Sequence, residues 1–301
     1  MISLLDPASQ NFLAGINRIQ QRLQTAQTQL TTGLQINNVS DSPNQIADVW
    51  QINSLLDQTN QIDSNLGQVQ TEVNTAESSL QSAVSLVEQA SSYGTQGDTD
   101  IASATSRTDL ANQIGAILQQ LVAIANTTVQ GRYIFSGDSD QTAPYSIDMT
   151  QSSPVSAYQG VASTRKVQGP DGTAFPIALT AQQIFDSSAA SSNVFTAITS
   201  LIQGLQQNNT SAIDSAVTNV QTAGVYLNQQ LAFYGTVQNR VDGSLSFGQN
   251  YTVQLQSQLS GIQDANEAAA ITTLTQAQTQ LQAALESKAQ IPRNTLFDFL
   301  T

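Results

Sequence analysis

The sequence predicts a mainly α protein: an elongated coiled-coil helical bundle formed by the N- and C-terminal regions, with a small β-rich domain inserted in the middle. Three observations predict it. Prolines, which break helix interiors, fall at 7, 43, 144, 154, 170, 176 and 292, so Asn44–Ala143 and Ile177–Ile291 are free to be helical. Apolar residues in the outer regions recur every three or four positions, at an average of about 3.5, the spacing of a coiled-coil seam. Between them, roughly from Asp138 to Ala189, lie Pro144, Pro154, Gly160 and the turn Gly169-Pro-Asp-Gly172. Short alternating runs flank these punctuators at Tyr145–Met149, Arg165–Val167 and Phe175–Leu179, a strand-and-turn pattern.

The elements follow in order. Phe12, Ile16, Ile19, Leu23, Ala26 and Leu30 form the first stripe. Ser42 is placed to cap a second helix, with Pro43 at its first position, running from Asn44 to about Ser92. Its stripe is Ile52, Leu55, Thr59, Ile62, Leu66, Val69, Val73, Ala76, Leu80, Ala83, Val87 and Ala90. At roughly 1.5 Å per residue such a rod is about 70 Å long. Leu110, Ile114, Ile117, Leu121 and Ile124 mark a third helix. Gly131-Arg-Tyr-Ile-Phe-Ser-Gly137 reads as a glycine helix stop followed by a short strand that leads into the insertion. Asp264-Ala-Asn-Glu267 has the spacing of a capping box, and Leu274, Ala277, Leu281, Ala284 and Ile291 form the last stripe. Each stripe is narrow, so each helix needs partners to cover it.

Composition removes most chemistries. Nine basic residues against 22 acidic ones leave a net charge of −13, unsuited to neutralising phosphates or to a polybasic membrane surface. There is no Cys, hence no disulfide or thiolate site, and no His, the commonest general base and transition-metal ligand. The expectation is a protein that is not an enzyme, with no cofactor, no metal, no nucleic acid and no membrane span. Asp98-Thr-Asp100 and Asp138-Ser-Asp140 are incomplete as calcium loops and read as turns. Asn-x-Ser/Thr triplets at Asn38, Asn126, Asn208, Asn209 and Asn250 are chance matches in a chain rich in these residues. Asp109, Asp214 and Glu286 read as solvated helix faces rather than a carboxylate pair. Met1–Pro7 lacks the basic and apolar regions of a secretory signal.

The stretch Leu30-Thr-Thr-Gly-Leu-Gln-Ile-Asn-Asn-Val-Ser-Asp-Ser-Pro43 resembles the N-terminal signature of the bacterial flagellin family. That signature is a Leu-Ser-(Ser/Thr)-Gly turn, (Arg/Lys)-Ile-Asn and an Asp-Asp-Pro-type helix start. Asp264-Ala-Asn-Glu-Ala-Ala-Ala-Ile-Thr-Thr-Leu-Thr-Gln-Ala-Gln-Thr-Gln-Leu281 is similar to the family's C-terminal helix. Gly131–Gly137, Thr180-Ala-Gln-Gln-Ile-Phe185 and Asn294-Thr-Leu-Phe-Asp-Phe-Leu300 look like the hook–filament junction branch of that family. The motif residues carried over are Gly33, Asn37, Pro43, Gly131, Arg132, Tyr133, Phe135 and Gly137. Gln35 stands where the family has a basic residue and Ser42 where it has a second acid.

The resemblance implies a structural subunit of the flagellum, assembling through Ile16, Ile19, Leu23, Leu30, Leu274, Leu281 and Leu285. Implied partners are a subunit of the hook-associated protein 1 type, flagellin, further copies of itself in a ring or tube, and a cytoplasmic export chaperone. The implied address is extracellular, at the hook–filament junction, reached by type III export without a cleaved signal. It also implies a terminal coiled-coil layer (1–43 and 264–301), a helical rod (44–137 and 190–263) and an outer insertion (138–189). From that layering, most of Gln141–Thr180 is expected to be removable without loss of assembly, by a cut that spares Ile134 and Phe135. The thin terminal stripes predict that Met1–Asn38 and Ile262–Thr301 stay disordered until assembly covers them. The alternatives are a filament flagellin proper and, more distantly, a coiled-coil surface adhesin with a β-rich tip.

Overall fold

The structure, a computed structural model, describes residues 7–163, 165–189 and 192–290. Met1–Asp6, Ile291, Pro292 and the Asn294–Leu300 tail lie outside them. In chain order the elements are α1 (Pro7–Thr32), α2 (Ile46–Gly97), α3 (Ala104–Ala125), β1 (Thr128–Val129), β2 (Arg132–Tyr133), β3 (Lys166–Gln168), β4 (Ala174–Pro176), α4 (Ala181–Phe185), α5 (Val194–Gln206), α6 (Thr210–Gln263) and α7 (Glu267–Gln290). The chain forms two compact units, Met1–Gln58 with Thr252–Thr301, and Thr59–Tyr251.

In the larger unit the seam of α2 is buried as its spacing predicts: Leu66, Val69, Val73, Ala76, Leu80, Ala83, Val87 and Ala90 all face the core. Leu110, Ile114, Ile117 and Leu121 of α3 join it, and α3 packs on α5. Helix α5 hides Val194, Phe195, Ala197, Ile198, Leu201, Ile202 and Leu205, an apolar face too wide to read as a heptad seam. Burying each large side chain stabilises the unit by about 1.5–3 kcal/mol before chain entropy is counted.

Two turns between helices are tied by a buried Arg107. It donates to Gly97 O at 2.7 Å, Thr99 O at 3.1 Å and Asn208 Oδ1 at 2.5 Å. Its charge lies against the C-terminal carbonyls of α2, where the helix dipole favours a cation. Asp98, Asp100, Asp138 and Asp140 lie in turns.

The strands are short. β1 and β2 pair antiparallel through Val129↔Arg132 and Thr128↔Tyr133. Their two-residue loop, Gln130-Gly131, has φ of 52° and 77°, the geometry of a type I′ hairpin. Gly131 therefore turns a hairpin and does not stop a helix; α3 has already ended at Asn126. β3 and β4 pair around the expected Gly169–Gly172 turn, where Gly172 N–H donates to Gly169 O at 3.0 Å. Tyr145–Met149 supplies only an isolated bridge, Ile147↔Val155, because Pro144 and Pro154 interrupt the ladder.

The region after Asp138 is not a detachable piece. Tyr145, Phe175 and Ile177 are buried in the same core as the helices, Arg165 pairs with Glu72 of α2 at 3.0 Å, and the Arg240 guanidinium lies 4.4 Å over the Phe175 ring. Removing all of Gln141–Thr180 would take Tyr145, Phe175 and Ile177 out of that core. The expectation that the segment can be shortened freely is corrected to its exposed tips.

Candidate assembly surfaces

The smaller unit is built on α1 and α7. They run antiparallel: Gly33 at the end of α1 accepts from Ala265 N–H at 2.8 Å, and at the other end Lys288 Nζ lies 5.3 Å from the Phe12 ring. Ile16, Ile19, Leu23 and Leu30 of α1, with Leu274 and Leu281 of α7, are half-buried along this pair. Among the described residues of these two helices, only Ala26, Ala270 and Ala277 are buried. Leu285 lies outside the pair, 55% exposed. The terminal stripes thus cover one another, in contrast to the disorder expected of the monomer. The reason is local: each stripe is the other's nearest apolar surface, and the chain on either side is tied together. The cover is thin because alanines alternate with the larger residues.

Leu13 and Ile271 are 47% and 54% exposed. Neither belongs to the 3-4 seam, so the periodicity passed over them. Apolar side chains off the stripe were the available signal. With Leu285 they leave apolar surface on both helices after the pair has formed.

The signature around Gly33 is the tie. Gly33 has φ +73°, a left-handed conformation that ends α1, and its N–H donates to Gln29 O at 2.9 Å. Gln35 donates from its backbone to Gln263 O at 2.7 Å and from its side chain to Ile262 O at 2.8 Å. The contact is made by a neutral amide to backbone carbonyls. Asn37 Nδ2 donates to Leu34 O at 2.8 Å. Asp41, which sequence reasoning missed, accepts from Asn37 N–H at 2.9 Å and Asn38 N–H at 2.7 Å. Ser42 O receives Ile46 N–H at 3.1 Å, but its hydroxyl donates to Gln45 Oε1 at 2.9 Å, so its side chain caps no backbone group. Pro43 sits in the turn before α2, whose regular helix starts at Ile46. At α7 the cap is Asn266, accepting from Ala269 N–H at 3.0 Å; Asp264 instead bridges to Leu34 and takes the Ser260 hydroxyl.

In the larger unit Gly131–Gly137 is a strap joining hairpin, insertion and helices. Arg132 pairs with Asp140 at 3.6 Å, and Tyr133 N–H donates to Asp140 O at 2.8 Å. Ile134 and Phe135 are buried, Phe135 edge-on to Tyr234 at 6.2 Å. Phe135 O accepts from Ala181 N–H at 2.7 Å, just where the Thr180/Gln183 capping box opens α4. Burial holds the Tyr234 phenol far above its usual range, as it does Tyr145 with help from Asp186, so both stay protonated. Tyr234 also accepts from Leu179 N–H at 3.1 Å.

Residues 6–140 match the bacterial flagellin N-terminal helical region and residues 210–300 the bacterial flagellin C-terminal helical region. Flagellar hook-associated protein 3 of Escherichia coli (strain K12) is 26% identical, over an alignment that covers 96% of this chain and 96% of that one. A flagellar hook-associated protein from Vibrio parahaemolyticus has the same fold, with a TM-score of 0.66 and 17% identity over 74% of this chain and 100% of that one. Xanthomonas campestris FlgL does so at a TM-score of 0.61 and 18% identity, over 70% of this chain and 100% of that one.

Proposed function

The chain belongs to the bacterial flagellin family, and on that premise we propose that it is a structural subunit joining the flagellar hook to the flagellin filament. The observation that carries this reading is the end-to-end similarity to flagellar hook-associated protein 3, over 96% of both chains. The strap at Gly131–Gly137 agrees with it. The work is mechanical. The apolar surface that α1 and α7 leave open at Leu13, Ile271 and Leu285 is covered by neighbouring subunits, at about 25 cal/mol per Å² of apolar area removed from water. The subunit seats on a hook-associated protein of the preceding type, repeats around a ring, and offers its other end to flagellin.

In this reading 1–43 and 264–301 form the inner layer, 44–137 and 190–263 the rod, and 138–189 the outer face. Export proceeds by the flagellar type III route without cleavage, a cytoplasmic chaperone holding the C-terminal helix beforehand. Immunogold labelling of the tagged chain tests the position. A single band of label between hook and filament is expected; label along the whole filament would make the chain a filament flagellin instead.

A further inference from the structure

A cavity of about 280 Å³ opens between the loop at Ser152–Ser156 and α5. Its size is just below the range of drug-sized ligand sites, roughly 300–1,000 Å³. Its α5 wall carries Phe195, Thr196, Thr199, Ser200 and Gln203, and Asp186 also lines it. Many helical threonines in this chain donate to the carbonyl four residues back, as Thr71, Thr75, Thr218 and Thr222 do. The hydroxyls of Thr196, Thr199 and Ser200 make no such bond, nor any other bond among the described residues. Asp186 is fixed in place: Asn193 Nδ2 donates to Oδ1 at 2.7 Å and the Tyr145 hydroxyl to Oδ2 at 3.4 Å. Each oxygen keeps a free lone pair, and among the described residues no Lys or Arg pairs with this carboxylate.

We propose that this cavity is a binding site for a neutral sugar residue. Free hydroxyls both donate and accept, a fixed carboxylate accepts from a vicinal diol, and Phe195 adds apolar surface for sugar C–H groups. No cation lines the cavity and the chain carries a net charge of −13, so a phosphate or acidic sugar finds no partner. The site is separate from the surfaces assigned to assembly, and its occupancy does not depend on that assignment.

Saturation-transfer difference NMR on the full chain tests it, with glucose, galactose, mannose and N-acetylglucosamine each at about 10 mM, suited to dissociation constants near ~1 mM. Transfer to at least one sugar is expected, and Thr199→Val with Ser200→Ala should weaken it tenfold or more with unchanged circular dichroism. Ser153→Trp, on the exposed rim, should abolish transfer by filling the mouth and serves if the double variant fails to fold. No transfer from any of the four sugars overturns the proposal, as does transfer undiminished in a folded variant.

Discussion

Gly137 has φ +64°, and a Cβ placed there would meet Val161 O at 2.1 Å and Ser163 O at 2.7 Å. Both obstacles are backbone, which no rotamer change relieves. Gly137→Ala is therefore expected to cost about 2–4 kcal/mol in chemical denaturation, through strain and a displaced strap. Asp63 has the opposite sign. One carboxylate oxygen is shielded against α6 at Gly248 without a hydrogen bond, and desolvation raises its pKa above the ordinary 3.8. The folded protein then binds the proton more tightly than the unfolded chain, so stability falls as pH rises through the window above 3.8. Asp63→Asn should raise stability at pH 7 by a few tenths to about 1 kcal/mol, the open side of the group being screened, and the gain should vanish below pH 3.8. Single residues were unevenly legible. Gly33 and Asn37 announced themselves by type and motif. Arg107 and Asp41 did not, because their importance lies in carbonyls and amides that only the folded turns bring to them. Gln130 gave no sign either, since a non-glycine at positive φ is dictated by the hairpin it closes.

Helices are where periodicity spoke most clearly. The seam from Leu66 to Ala90 is buried throughout, as a 3-4 repeat requires. A stripe, however, states that a partner is needed and not which one: the sequence placed the two terminal helices in one layer, but that α1 and α7 cover each other within a single chain came with the structure. Helices α5 and α6 were under-read for the same reason in reverse: broad or Ala- and Tyr-diluted faces do not repeat like a seam. The thin α1–α7 pair should open independently of the larger core. Amide hydrogen exchange at Leu23 and Leu281 should run orders of magnitude faster than at Ile114 and Ile198; equal protection would show one cooperative unit. Leu13→Asp and Ile271→Asp place charge on surface already open in the monomer. They should shift stability by no more than about 0.5 kcal/mol while abolishing swimming when supplied in place of the native gene. Leu281→Asp, by contrast, should loosen the pair itself, seen as lost helix in circular dichroism.

At the scale of the whole molecule, a chain without Cys or His and poor in charge is built of helical seams and leaves apolar surface open at Leu13, Ile271 and Leu285. Length, proline placement and the two terminal signatures carried the class and the family. They could not reveal that the middle segment shares the helical core, because alternation in a short strand looks the same whether it packs within its own domain or onto a neighbour. The claim that matters most is that this subunit is the connector between hook and filament. Electron microscopy of cells lacking the gene, with flagellin assayed in the medium, tests it most directly. Bare hooks with flagellin shed into the medium are the predicted result, and filaments of normal length still attached to hooks would contradict it.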